Sequence, residues 1–227
     1  MKKRRKKYQR KKPSWFGILS LTILAWVLIP IIVVNLILTI GAIFALPWWT
    51  MTLGWIVVGF IGYSLIHIFI YQPTFLYVLP HELSHALFAW IFGEKVKKIK
   101  VRDTGGYVEM SHSNFIIDLA PYFFPFYAFW LAVINFFLKY FWHYQQYEYL
   151  FLFGIGSALA FHYLNSRDIL HYKQTDMMWT GRWFGIVFSI IANIFFANII
   201  LLLIFFDEKN LIFDYYEKAY SFVLNLL

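Results

Sequence analysis

The sequence predicts an all-α polytopic membrane protein of about six transmembrane helices, with one small membrane-associated β-hairpin near residues 97–110. Three observations carry that expectation. Of the 227 residues, 61% are hydrophobic and only 14% charged, too few polar side chains to cover a surface facing water. Apolar stretches of roughly 20 residues, the length that crosses a bilayer core, recur along the chain. Between two of them lies a polar stretch that alternates with the two-residue period of a strand.

The chain opens with a concentrated charge. Nine of the 20 basic residues lie between Lys2 and Lys12, while the remaining eleven are offset by the 12 acidic residues. Residues 1–14 therefore read as a basic cytoplasmic tail, whose lysines and arginines hold that end inside and attract anionic headgroups. A nucleic-acid arm fits less well, because the tail runs through Pro13 straight into apolar sequence at Trp15. No nucleic-acid partner is expected.

Residues 15–206 are expected to form one membrane-embedded domain, with spans near 15–45, 49–71, 73–93, 114–138, 148–165 and 180–206. Pro30 falls in the middle of the first, where a missing backbone donor permits a kink. Trp48, Trp49 and Trp55, and later Trp179 and Trp183, stand where interfacial aromatic belts form. In the polar stretch, Ile99 and Val101 alternate with Lys98, Lys100 and Arg102. Asp103-Thr104-Gly105-Gly106 then makes a turn and Tyr107-Val108-Glu109-Met110 resumes, the pattern of a hairpin. Three single crossings before Gly93 would put this basic hairpin outside, against the positive-inside bias, so the side from which the site is reached stays open. Residues 207–227 place Leu211, Tyr215 and Phe222 on one helical face and Asp214, Glu217 and Lys218 on another. That is an amphipathic C-terminal helix lying in the interface.

The chain has no cysteine, so any metal site must use His, Asp or Glu. One segment supplies them. In His81-Glu82-Leu83-Ser84-His85 the two histidines are four residues apart, so on a helix both imidazoles project from one face and can hold a single zinc ion. Glu82 beside them can take a proton from an attacking water that the metal acidifies, and return it to a leaving amine. Pro80 just before suits the first turn of a helix running from His81 to about Trp90. Chance predicts roughly 0.005 occurrences of H-E-x-x-H in a chain of this composition. A polar packing cluster is the stronger plain explanation, yet two histidines and a glutamate in an apolar segment are costly unless they pair, bind metal or face water.

These residues resemble the site-2 protease group, the M50-type intramembrane zinc metalloproteases, in its compact form without a PDZ domain. The likeness rests on His81-Glu82-Leu83-Ser84-His85-Ala86 in an apolar helix, Gly93 at its end and the basic hairpin that follows. Ala120-Pro121-Tyr122, with Pro125 opening the next span, completes it. It covers roughly residues 73–206. The resemblance implies hydrolysis of peptide bonds in or near transmembrane segments of membrane-protein substrates, with zinc as cofactor and Glu82 as catalytic residue. It also implies a third ligand beside His81 and His85, an Asp at the start of a later span, usually within Leu-Asp-Gly. That tripeptide is absent here. Asp176 is the preferred ligand and Asp168 the alternative, with Asp118 and His162 behind them, and each aspartate could equally be a helix cap.

The hairpin has two readings, an edge to which an extended substrate adds as a strand, or a charged edge resting at the headgroups. Tyr63, His67, Asn35 and Asn193 read as interhelical hydrogen-bonding residues, and His112 and His143 as boundary residues. Two other functions fit the same motif. One is an ion- or proton-translocating protein using His81, Glu82 and His85 as a relay. The other is an inactive relative that binds membrane helices without cutting them.

Overall fold

A computed structural model describes residues 15–44, 49–142, 145–166, 182–206 and, beyond these, 213, 214, 216, 217 and 221. The basic tail and most of the expected C-terminal helix lie outside the described residues, as do Trp48, Trp179, His143 and both preferred aspartates, Asp168 and Asp176.

Seven helices and one hairpin account for most of what is described. They are α1 (Trp15–Phe44), α2 (Trp49–Phe69), α3 (Thr74–Ile91), β1 (Val96–Lys100), β2 (Tyr107–Met110), α4 (Phe115–Phe123), α5 (Phe126–Trp142), α6 (Glu148–Ser166) and α7 (Arg182–Ile204). Among the described residues, α2 and α7 are long and apolar enough to cross a membrane, and α4 with α5 makes a third such unit if the bent pair is one span. Apolar side chains stay on the outside of α2, where Val57, Val58, Ile61, Leu65 and Phe69 are all exposed. A face of that kind is what lipid, not water, covers.

Two expectations need correcting. The span read as 114–138 is broken at Phe124–Pro125, where α4 and α5 meet at 74°. Pro125 has no N–H to continue the ladder, and the Phe126 N–H turns to the Phe124 carbonyl instead. The helix carrying the motif does not begin at Pro80 but at Thr74, so Pro80 lies inside α3. An internal proline leaves the carbonyl four residues earlier without its donor, and the Tyr127 hydroxyl on α5 donates to that carbonyl, Leu76, at 3.1 Å.

The end of α3 matches its sequence. Gly93 takes φ +73, the left-handed conformation that a glycine after a helix permits. Its N–H bonds the Trp90 carbonyl at 3.0 Å, and the Glu94 N–H reaches back to Ala89 at 2.8 Å. This cap turns the chain into the antiparallel hairpin, in register Val96↔Met110 and Lys100↔Tyr107, with a bulge between Val96 and Lys98. Arg102 and Gly105 exchange backbone hydrogen bonds across the turn.

Two packed clusters hold the helices. One joins α1, α5, α6 and α7 around Ile43, Ala132, Ile155 and Ile200, and the other joins α3, α4 and β2 around Ala89, Met110, Ile117 and Tyr122. The fit is closest where α2 crosses α6. A Cβ at Gly59 would overlap the Phe153 carbonyl, and one at Gly156 would overlap that of Ile56. Only glycine lets two backbones approach so closely. Ser157 then donates to the Gly59 carbonyl across the crossing at 3.1 Å.

Candidate metal centre

His81, Glu82 and His85 occupy the middle of α3, and the second packed cluster surrounds them. Small residues, Ala86 and Ala89, are fully buried on this helix and let α4 pack against it. The imidazoles of His81 and His85 lie one turn apart with ring centroids 5.0 Å apart, edge to face. His81 stands between two tyrosines, Tyr77 at 5.8 Å and Tyr122 at 5.6 Å, the latter edge-on. Ser84 turns back to the Pro80 carbonyl at 2.7 Å.

The hydrogen bond of His85 decides its chemistry. Its Nδ1 lies 2.7 Å from the Ile117 carbonyl, which can only accept, so Nδ1 carries the proton. A neutral imidazole protonated there keeps a lone pair on Nε2. This is the arrangement in which a backbone carbonyl orients a metal-binding histidine. Two imidazoles on one helical face, one of them fixed in this tautomer, fit zinc as nitrogen ligands. Among the described residues, however, no three His, Asp or Glu side chains form a group that could hold a metal. Asp118 and His162 therefore do not complete the site. Asp118 is buried in the first turn of α4 and accepts from Ser113 Oγ at 2.5 Å. His162 on α6 lies 2.9 Å from Asn193 Oδ1. Asn193 spends its own N–H groups on the carbonyls of Tyr122, at 2.9 Å, and Ser189, at 2.8 Å, so His162 is the donor.

Beside the motif is a cleft whose walls include Tyr77, His81, Ser84, Pro121, Tyr127 and His162. Asn165 and Ser166, the last residues of α6, also line it. Glu82, 7% exposed, lies on the hairpin side. A Cβ on Gly106 would come within 2.5 Å of Glu82 Cγ, 2.8 Å of Oε1 and 2.7 Å of the Lys100 carbonyl. The turn of the hairpin thus rests on the carboxylate side chain. Gly105 beside it is needed for another reason, φ +126, and has open space around it.

At the far end of the hairpin, Glu94 Oε2 accepts from Ser111 Oγ at 2.5 Å and from the His112 N–H at 3.1 Å. The Ser111 hydrogen bond foremost holds the Glu94 carboxyl below the usual carboxylate range. Of the polar residues read as interhelical, Asn193 is one, joining α7 to α4 and α6. The Tyr63 hydroxyl instead lies 3.2 Å from His67 Nδ1 within α2, and Asn35 donates within α1 to Ile31.

Sequence reasoning missed the contact of Gly106 with Glu82 and the bond of His85 to the Ile117 carbonyl, and it named His162 and Asn193 without pairing them. A doubled glycine marks a turn without saying which glycine needs space, and a backbone acceptor has no residue type to read. The proline spacing was the available signal for Ile117, since Pro121 follows it by four.

A family model described as Peptidase M50B-like matches residues 55–212, from α2 through the motif, the hairpin and α7. No curated protein and no solved structure matches the chain. The matched region takes in the histidine pair, its glutamate and the hairpin resting on them, and the chain belongs to the M50B-like peptidase family.

Proposed function

We propose that this protein is an intramembrane zinc metallopeptidase that hydrolyses a peptide bond in or near the transmembrane segment of another membrane protein. The observation that carries the reading is the pairing of His81 with His85 around Glu82, with His85 Nδ1 held by the Ile117 carbonyl. His81 and His85 would hold the metal with one aspartate, Asp176 or Asp168.

Zinc, when bound, supplies Lewis acidity toward the scissile carbonyl and acidifies the attacking water. Glu82 takes the proton of that water and returns it to the leaving amine nitrogen. The buried surroundings of Glu82 keep bulk water from competing for the transferred proton. A helical substrate must lose backbone hydrogen bonds before it is cut, and addition to the hairpin as a strand would replace them. The contact between Gly106 and Glu82 favours this over a hairpin resting at the headgroups, because a strand added there lies beside the general base. Six crossings, a cytoplasmic amino terminus set by Lys2–Lys12 and an interfacial C-terminal helix complete the proposed arrangement.

The test uses the full chain in liposomes and a quenched fluorescent peptide with a roughly 20-residue Leu/Ala span interrupted by Asn-Gly. Glu82→Gln should abolish cleavage and keep zinc, whereas unchanged cleavage rejects the role of Glu82. His81→Ala with His85→Ala should lose zinc. Asp176→Asn and Asp168→Asn, compared for zinc content, assign the third ligand. Ion flux without proteolysis would instead establish the relay, and peptide binding indifferent to Glu82→Gln the inactive relative.

A further inference from the structure

Two prolines sit inside the helices that build the site, Pro80 in α3 and Pro121 in α4. Proline has no N–H, so the carbonyl four residues before it loses its intrahelical donor. A carbonyl left in that state and kept from water, by protein or by lipid, must find another. Leu76, before Pro80, receives the Tyr127 hydroxyl at 3.1 Å. Ile117, before Pro121, receives Nδ1–H of His85 at 2.7 Å.

The second pairing falls on a proposed metal ligand. We infer that Pro121 is a positioning residue for His85: by withholding one N–H it reserves the Ile117 carbonyl for the imidazole and leaves Nε2 as the nitrogen for a metal. Any other residue at 121 would offer a second N–H to the Ile117 carbonyl from within α4, and a carbonyl shared between two donors holds the imidazole less firmly. Both groups are enclosed, Ile117 being fully buried and His85 9% exposed, so a displaced Nδ1–H would have to give up its proton to Nε2 or rotate away. Either change removes the lone pair from the position that the bond fixes. The inference rests on the metallopeptidase reading, and it gives Pro121 a role apart from lining the cleft.

The experiment separates the missing N–H from the proline ring. Pro121→Ala restores the N–H, while lactic acid placed at position 121 by nonsense suppression carries the same methyl group and an ester oxygen in its stead. Both full-length proteins are purified in detergent and titrated with zinc against a chromophoric chelator. Hydrogen bonds behind metal-binding histidines are worth about 10–100-fold in affinity, so Pro121→Ala should weaken zinc binding by that factor and the ester should bind as the wild type does. Wild-type affinity in Pro121→Ala overturns the inference. Equal weakening in both also overturns it, since the ring would then be what matters.

A second measurement needs no metal. Side-chain ¹⁵N resonances of the metal-free protein, with His85 assigned by its loss in His85→Asn, should report an Nδ1-protonated ring in the wild type and the ester. In Pro121→Ala they should report either a changed tautomer or an Nδ1–H shifted by loss of its carbonyl partner, and resonances unchanged in both respects overturn the inference even if zinc binding falls. A wild type that takes up no zinc would defeat the metallopeptidase reading, and the nitrogen resonances would then decide by themselves whether Pro121 governs the His85 bond.

Discussion

Where α2 crosses α6, backbone meets backbone, with Gly59 against the Phe153 carbonyl and Gly156 against that of Ile56. Where α3 meets α4, α5 and the hairpin, and α7 meets α4, side chains meet carbonyls that internal prolines or a helix end leave without a helical donor: Tyr127 on Leu76, His85 on Ile117 and Asn193 on Tyr122. The first region has no volume to give, so a change there acts on the fold. Contacts in the second are separate polar bonds, so a change there can remove a function and leave the helices assembled. A protein that must hold a precise site in lipid can use the glycine crossing as its frame and place chemistry where prolines leave helix carbonyls open to side chains.

The largest effect expected from breaking this contrast is at Gly156. Leucine there must drive α2 and α6 apart along their length, beyond the about 1–3 kcal/mol of ordinary overpacking. Gly156→Leu should fail to give monodisperse folded protein, whereas Gly62→Leu, with open space around its Cβ position, should purify normally. Size-exclusion chromatography and thermal unfolding in detergent read the difference. Equal behaviour of the two variants would remove the frame from the argument.

Gly106→Ala should come next, and it acts in the other region. The added methyl group collides with Glu82 and with the Lys100 carbonyl, and the latter is fixed in the hairpin ladder, so the carboxylate must move. A displacement of the order of 1 Å in a catalytic group lowers turnover by up to about 10²-fold. We expect kcat to fall about 10- to 100-fold with zinc content unchanged. Gly105→Ala strains the turn without crowding Glu82 and should raise KM more than it lowers kcat. If both substitutions act only on KM, the hairpin touches the substrate but does not set the base.

These two regions were not equally legible in the sequence. Helix positions came from apolar length alone: α6 runs over 148–166 where 148–165 was expected, and the hairpin over 96–110 where 97–110 was expected. The histidine–glutamate motif was legible because its chemistry is carried by side-chain type and spacing. What stayed hidden depends on the backbone. Pro80 looked like a helix start because a proline suits a first turn, and only the Tyr127 hydroxyl, 47 residues away in sequence (127 − 80), allows the helix to pass through it. Gly59 and Gly156 are ordinary glycines until the partner carbonyl is in view. The sequence left the proposed third ligand open among Asp176, Asp168, Asp118 and His162, and the first two lie outside the described residues.

A smaller effect is expected at Tyr127. Tyr127→Phe removes the donor to Leu76 and leaves one carbonyl of α3 unsatisfied. A single hydrogen bond within a membrane protein is worth about 0.6 kcal/mol on average, so the melting temperature should fall slightly while zinc affinity and kcat hold. A loss of zinc on this substitution would mean that the two proline carbonyls are coupled, not separate as the contrast requires.

The smallest effect tests whether the hairpin is held at its far end independently of Glu82. Glu94 binds Ser111 and His112, and the Lys95 N–H meets Ser111 Oγ at 2.8 Å, so one carboxylate ties the end of α3 to the end of β2. Its pKa is lowered in the folded protein, first by the Ser111 bond and then by His112. A depressed carboxyl pKa stabilises the fold above the unfolded value, about 4.3 for glutamate, and that contribution disappears as pH falls through the folded value. The difference in melting temperature between the wild type and Glu94→Gln should therefore be present at pH 7 and close below about pH 4. It should remain small throughout, because the pair is open to solvent and screened. A difference that persists unchanged into acid would show that Glu94 acts through shape and not charge. The hairpin would then be seated by its turn on Glu82 alone, and Gly106 would be the one point where frame and chemistry meet.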